Sequence, residues 1–169
     1  MTAPAVPSIL IGLGLLRLDG DFAYSHARFR DGDAAGDRIP GAVEGVISVG
    51  ATVPEWRKCF GSVRMRYFGP RPLIEDNSVR SKSSATLSAE VGRDLSRWGR
   101  LSLEGFNVLD AKVSDIDYFY ASRLPGEPAD GVNDIHTHPQ APRTFRIRLS
   151  ASWPRSGDDL PPQGGHPRI

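Results

Sequence analysis

Between Ser83 and Asp110 two runs of residues alternate strictly between polar and apolar, separated by the short turn SRWG (Ser96–Gly99). In the first run Ala85, Leu87, Ala89, Val91 and Leu95 share one face, and Ser84, Thr86, Ser88, Glu90 and Asp94 share the other. In the second, Leu101 and Leu103 oppose Ser102 and Glu104. A two-residue period over this length specifies strands, because only an extended chain puts every second side chain on the same side. No stretch has the spacing of an amphipathic helix that could cover the apolar face. That uncovered face is therefore expected to meet lipid.

The same pattern extends in both directions. Strands are expected at about Leu15–Phe29, Gly41–Val53, Cys59–Phe68, Ser83–Leu95, Arg100–Leu109 and Arg143–Trp153. Gly and Pro, 18 and 14 of the 169 residues, cluster between these runs, as turn chemistry requires. The expected fold is all-β, an antiparallel meander of about six strands forming part of a transmembrane β-barrel. Residues 1–14 are expected to be disordered or non-native, 15–153 to form the barrel segment, and 154–169 to be a disordered tail.

Two features favour a barrel over a soluble β-sandwich, in which the apolar face would pack on a second sheet. Connections alternate long and short, as in outer-membrane barrels with long external loops and short periplasmic turns. Aromatic residues fall near the strand ends. Trp56, Phe60, Trp98 and Trp153 lie at the short-turn level, and Tyr24 and Tyr67, with Phe29 and Phe68, at the long-loop level. Two such girdles about nine to eleven residues apart match the span of a tilted membrane strand. On the opposite face Glu44, Arg64, Arg66, Glu90, Glu104, Arg146 and Arg148 are expected to face a lumen and to form cross-strand ion pairs.

The net charge of +1, with both signs interleaved, carries no nucleic-acid footprint. The single cysteine, Cys59, allows no internal disulfide and is read as a small hydrophobe. Ser8–Leu16 (SILIGLGLL) lacks the preceding basic residues of a signal peptide, so none is assigned. His136 and His138, beside Asp134, point the same way if extended, but the sequence places no third ligand, so no metal site is assigned. Asp115 and Asp117 beside Tyr118, Phe119 and Tyr120 are read as a solvated loop packed by its own aromatics. No catalytic arrangement and no cofactor are expected.

Three segments carry a resemblance. RYFGPRPLIEDNSVRSKSSATLSAEVG (Arg66–Gly92), LSLEGFNVLDAKVSDIDYFYASRLPGEP (Leu101–Pro128) and PRTFRIRLSASW (Pro142–Trp153) together resemble the C-terminal end of TonB-dependent outer-membrane receptors. The resemblance implies a place in the outer membrane and active uptake of siderophores or other scarce ligands. Implied partners are outer-membrane lipid, the remaining barrel strands and plug, the barrel-assembly machinery, and TonB through N-terminal parts not recognisable here. A barrel of that family has about twenty-two strands. Six strands without plug or TonB box imply a C-terminal fragment that does not transport alone. The alternative is a soluble β-sandwich or small-barrel protein that binds a ligand with its long loops.

Overall fold

The computed structural model describes residues 8–30 and 36–152. The pattern of alternation becomes nine strands: β1 (Ser8–Leu13), β2 (Leu16–Tyr24), β3 (Gly45–Trp56), β4 (Cys59–Phe68), β5 (Ser84–Ser96), β6 (Gly99–Phe106), β7 (Ser114–Ser122), β8 (Val132–Pro139) and β9 (Thr144–Ala151). Seven of them form one antiparallel sheet in the order β1-β2-β3-β4-β5-β6-β9, and β7 and β8 pair separately. The all-β antiparallel meander is as expected, and its main sheet has seven strands where six were anticipated. The last strand and the tail after it, including Trp153, were expected to reach residues that lie outside those described.

The extra strand is β1. Residues 1–14 were expected to lack structure, yet Ser8–Leu13 pairs with β2 from Ser8↔Asp21 to Leu13↔Leu16. Its neighbour supplies the ladder that its own sequence, apolar on consecutive residues, does not advertise. A second correction concerns Asp110–Pro142, read as one long loop. Part of it is the β7–β8 hairpin, paired from Ser114↔Pro139 to Ser122↔Val132.

Register carries the alternation coherently across the sheet. In one continuous row, Leu18 pairs with Ala51, Ala51 with Val63 and Val63 with Ala89. In the next, Gly61 pairs with Val91, Val91 with Leu103 and Leu103 with Ile147. Directly opposed residues share a face. One face is thus aliphatic from β1 to β9, while its reverse carries serines, threonines and charges.

Among the described residues nothing forms a second layer over the aliphatic face. Val91 is 58% exposed, Phe145 61% and Ile147 75%. Among the described residues the buried side chains are Pro72 and Leu73 in the loop after β4, together with the polar Ser81, Ser102, Glu104, Asn107 and Asp117. An ordinary domain hides its apolar face and shows its polar one. This sheet does the opposite, and its exposed apolar surface is far larger than the scattered patches of a soluble monomer.

The connections are sorted by end. Three two-residue turns, at residues 14–15, 57–58 and 97–98, lie at one end of the sheet. The long connections, residues 25–44, 69–83 and 107–143, lie at the other. Gly14 (φ 60°) and the pair Arg57 (φ 49°) and Lys58 (φ 67°) turn in the left-handed region. Two consecutive positive φ values match the twist of the strands that such a hairpin joins.

Candidate functional site

The polar face and the loops above it bring the chemistry together. Arg64 on β4 reaches across β3 to Asp19 on β2 (Nη2 to Oδ2, 2.6 Å) and donates to Ser48 Oγ at 2.9 Å. It can do so because residue 50 lies between them and is glycine. A Cβ there would sit 2.7 Å from both the Arg64 Nη2 and the Asp19 Oδ1 atoms. One ion pair thus ties three strands.

Glu104, buried on β6, is held by two arginines of β9. Arg148 binds it at 2.7 Å, and Arg146, directly opposite, lies at 3.5 Å. Glu90 stands opposite Glu104 on its other side. The positive pair therefore offsets two adjacent carboxylates, an arrangement that otherwise opposes strand pairing. Arg66 faces the same side between Ser48 and Thr86 and forms no ion pair with a described residue.

At the two-residue-turn end, the Phe60 ring lies over Gly92, and the Arg100 guanidinium lies 4.4 Å above that ring. Its height along the strand puts Phe60 in the expected lipid-facing aromatic girdle. Its register with Gly92 places it instead on the polar face, because its neighbours Cys59 and Gly61 hold the apolar side. Tyr24, Tyr67 and Trp56 do lie on the apolar face, paired with Gly45, Ile47 and Cys59. Trp98 occupies a turn, with Arg97 stacked 4.6 Å from its ring. Trp153 lies outside the described residues.

Alternation alone puts Glu44 on a strand facing the lumen. Its alternation phase is right, but β3 begins one residue later, and Glu44 belongs to the loop cap. There its carboxylate takes both Arg38 (2.7 Å) and Arg80 (2.5 Å). The hydrogen bond from Arg80, reinforced by both positive charges, holds its pKa below the usual carboxylate range. A depressed folded pKa contributes stability above the unfolded value, about 4.3, and loses it as pH falls through the folded one. The segment 69–82 is expected to loosen on acidification below that value, and Glu44→Gln to flatten the response. Hydrogen exchange of that segment, corrected for intrinsic rates, checks this.

Arg71 and Asn107, which no pattern of alternation singles out, organise the cap. Arg71 donates to the Asp115 carbonyl (2.9 Å) and pairs with buried Asp117 (3.4 Å), joining the loop after β4 to the hairpin. Asn107, at φ 48°, donates from Nδ2 to the carbonyls of Ala111 (3.0 Å) and Ala141 (3.3 Å) and accepts from the Ala111 N–H (2.9 Å). Its side chain closes both ends of the longest connection. Asn107→Ala strips partners from buried groups at about 1–3 kcal/mol each. The expected result is fast proteolysis between residues 108 and 143 with the strands of the main sheet still protected.

On the hairpin, Tyr118 opposes His136 and Ile116 opposes His138, so both histidines share a face as their spacing predicts. The His136 ring stacks on Tyr120 (centroids 3.9 Å apart, 14° between planes). Among the described residues no group of three or more His, Cys, Asp and Glu side chains is placed to hold a metal. Asp117 faces the opposite side, toward a cavity of about 680 Å³ between the hairpin and Lys82 and Lys112. The acidic–aromatic segment is thus an ordered strand rather than a solvated loop.

Two further cavities continue from this one onto the sheet. A small one of about 120 Å³ shares Lys82 and Gln140 with it. That in turn shares Thr86 and Gln140 with a basin of about 470 Å³ on the polar face. No protein-family model matches the chain, and no curated protein matches it.

Proposed function

We infer that this chain is the C-terminal barrel segment of a TonB-dependent outer-membrane receptor, and that its apolar face is the lipid-facing wall. The observation that carries this reading is the inverted sheet: a single layer, aliphatic on its exposed side and polar on the other. Four of the seven strands agree with it: β2, β3, β4 and β5 have 9, 12, 10 and 13 residues, enough to cross a bilayer at a tilt, while β1, β6 and β9 have 6, 8 and 8. The segregation of two-residue turns from long loops also agrees with outer-membrane barrels, whose periplasmic turns are short.

The sheet's edges favour a larger assembly. β1 and β9 are its two outer strands. In a seven-strand antiparallel meander the first and last strands run the same way, so joining them directly would make a parallel ladder. Antiparallel closure needs further strands between them. Unpaired edges in lipid cost several kcal/mol per unsatisfied group, so the described sheet is stable in a bilayer only within a completed barrel. Uptake of a scarce ligand, with plug and TonB, is then the work of the whole receptor. The chain's part is wall, loop cap and closure.

An immunoblot of cell fractions with an antibody to residues 69–82 tests this. The reading predicts the antigen in the outer-membrane fraction. Antigen confined to the soluble fraction, as a monodisperse protein needing no detergent, would favour a soluble β-protein that binds a ligand with its loops.

A further inference from the structure

We propose that the basin on the polar face is a binding site for a small oxyanion-bearing ligand, a polycarboxylate or a phosphate, clamped between Arg66 and Arg146. The basin has about the volume of a small-molecule site, 470 Å³. Its floor is β5, where Thr86 and Ser88 are short enough to leave the space open and supply hydroxyl donors. Three arginines line it, Arg64, Arg66 and Arg146, and no carboxylate does. In a chain whose net charge is only +1, that local imbalance is a specific feature.

The three arginines are not equally committed. Arg64 is anchored to Asp19 and Ser48, so it contributes field more than free hydrogen bonds. Arg66 forms no ion pair with a described residue. Arg146 is held by a 3.5 Å contact to Glu104, whose short contact goes to Arg148, and by its place over the Phe106 ring (5.3 Å), which leaves its N–H groups largely unused. Arg66 and Arg146 therefore retain guanidinium donors for a ligand. Arginine forks match the planar oxygens of carboxylate and phosphate.

Around the two cavities above the basin, Arg71 is paired with Asp117 and Lys112 with Asp110, which leaves Lys82 to offset Asp115. The approach is thus close to neutral, and the positive excess is confined to the basin itself. The basin is a property of the polar face and its cap, so it holds whether or not the chain belongs to a receptor. Fractionation and ligand titration can each fail without the other.

The test is calorimetric titration of the full chain in zwitterionic micelles, at low ionic strength, with citrate and separately with inorganic phosphate. Saturable binding of either is expected. Tighter citrate binding identifies a polycarboxylate ligand, and tighter phosphate binding a phosphate-bearing one. Each substitution removes charge-assisted hydrogen bonds to the ligand, so Arg66→Gln and Arg146→Gln should each weaken binding about tenfold or more. Arg97→Gln, at the opposite end of the sheet, should leave it unchanged. If Arg66→Gln loses the β-sheet circular dichroism of the wild type, Arg146→Gln decides, because that side chain is 59% exposed. Absence of saturable binding to the folded wild type overturns the proposal. So does equal binding by the wild type and folded Arg146→Gln.

Discussion

Val63→Arg is expected to reduce partition of the chain into lipid by a factor of about 30 or more, while Ser62→Arg next to it leaves partition nearly unchanged. The two residues are adjacent on β4 and face opposite ways. Val63 sits between Ala51 and Ala89 in the middle of the aliphatic face, whereas Ser62 sits between Thr52 and Glu90 on the polar one. An arginine at the midplane of a barrel's lipid face costs about 2–4 kcal/mol, which sets the factor. A surface change on a wet face stays within about 0.5 kcal/mol. Co-flotation with vesicles measures both variants. Equal partition of the two would mean that the apolar face does not meet lipid.

Gly92→Val is expected to cost about 3 kcal/mol, at the upper end of overpacking substitutions. A Cβ at this position would lie 2.1 Å from Phe60 Cζ and 2.7 Å from the Leu101 carbonyl oxygen. The ring can swing away, though it would then leave the Arg100 guanidinium above it. The carbonyl cannot move as freely, because it belongs to the β5–β6 ladder. The strain therefore falls on strand pairing near the turn. Gly45→Ala is the control, since nothing lies within 4 Å of a Cβ there and its φ is not in the left-handed region. Urea midpoints in micelles, followed by circular dichroism, should drop for the first variant and hold for the second.

Alternation made most of the sheet legible, because a strand with one wet face writes its period into the sequence. Cys59–Phe68 was placed to the residue, and β5, β6 and β9 within a few. Where polarity does not alternate, the sequence is silent. Ile9, Leu10 and Ile11 are apolar in succession, and only pairing with β2 makes them a strand. Tyr118, Phe119 and Tyr120 are aromatic in succession, so β7 looked like a loop.

Site residues divide in the same way. The seven charges assigned to a lumen all have the phase of the polar face, and six lie on strands there. Glu44 fell outside because alternation was extended back past the start of β3 into the cap. Phe60 was assigned by its height along the strand, when its side is set by odd or even position. The Asp19–Arg64 pair over Gly50 needed the register of three strands at once, which no local pattern supplies. Asn107 carried one local signal: an asparagine directly after a strand tolerates positive φ and bonds to its own loop. The oxyanion basin had none, since Arg66, Thr86 and Arg146 meet only through the sheet.

The most direct measurement of which face meets lipid is a nitroxide scan of residues 61–67 in the Cys59→Ser background, one cysteine at a time, in lipid bilayers. Accessibility to oxygen, which concentrates in lipid, is compared with accessibility to a water-soluble nickel chelate. A two-residue period is expected: high oxygen access at 61, 63, 65 and 67, and high chelate access at 62, 64 and 66. Positions 63 and 65 shielded from both reagents would contradict it, because a second protein layer would then cover the face assigned to lipid.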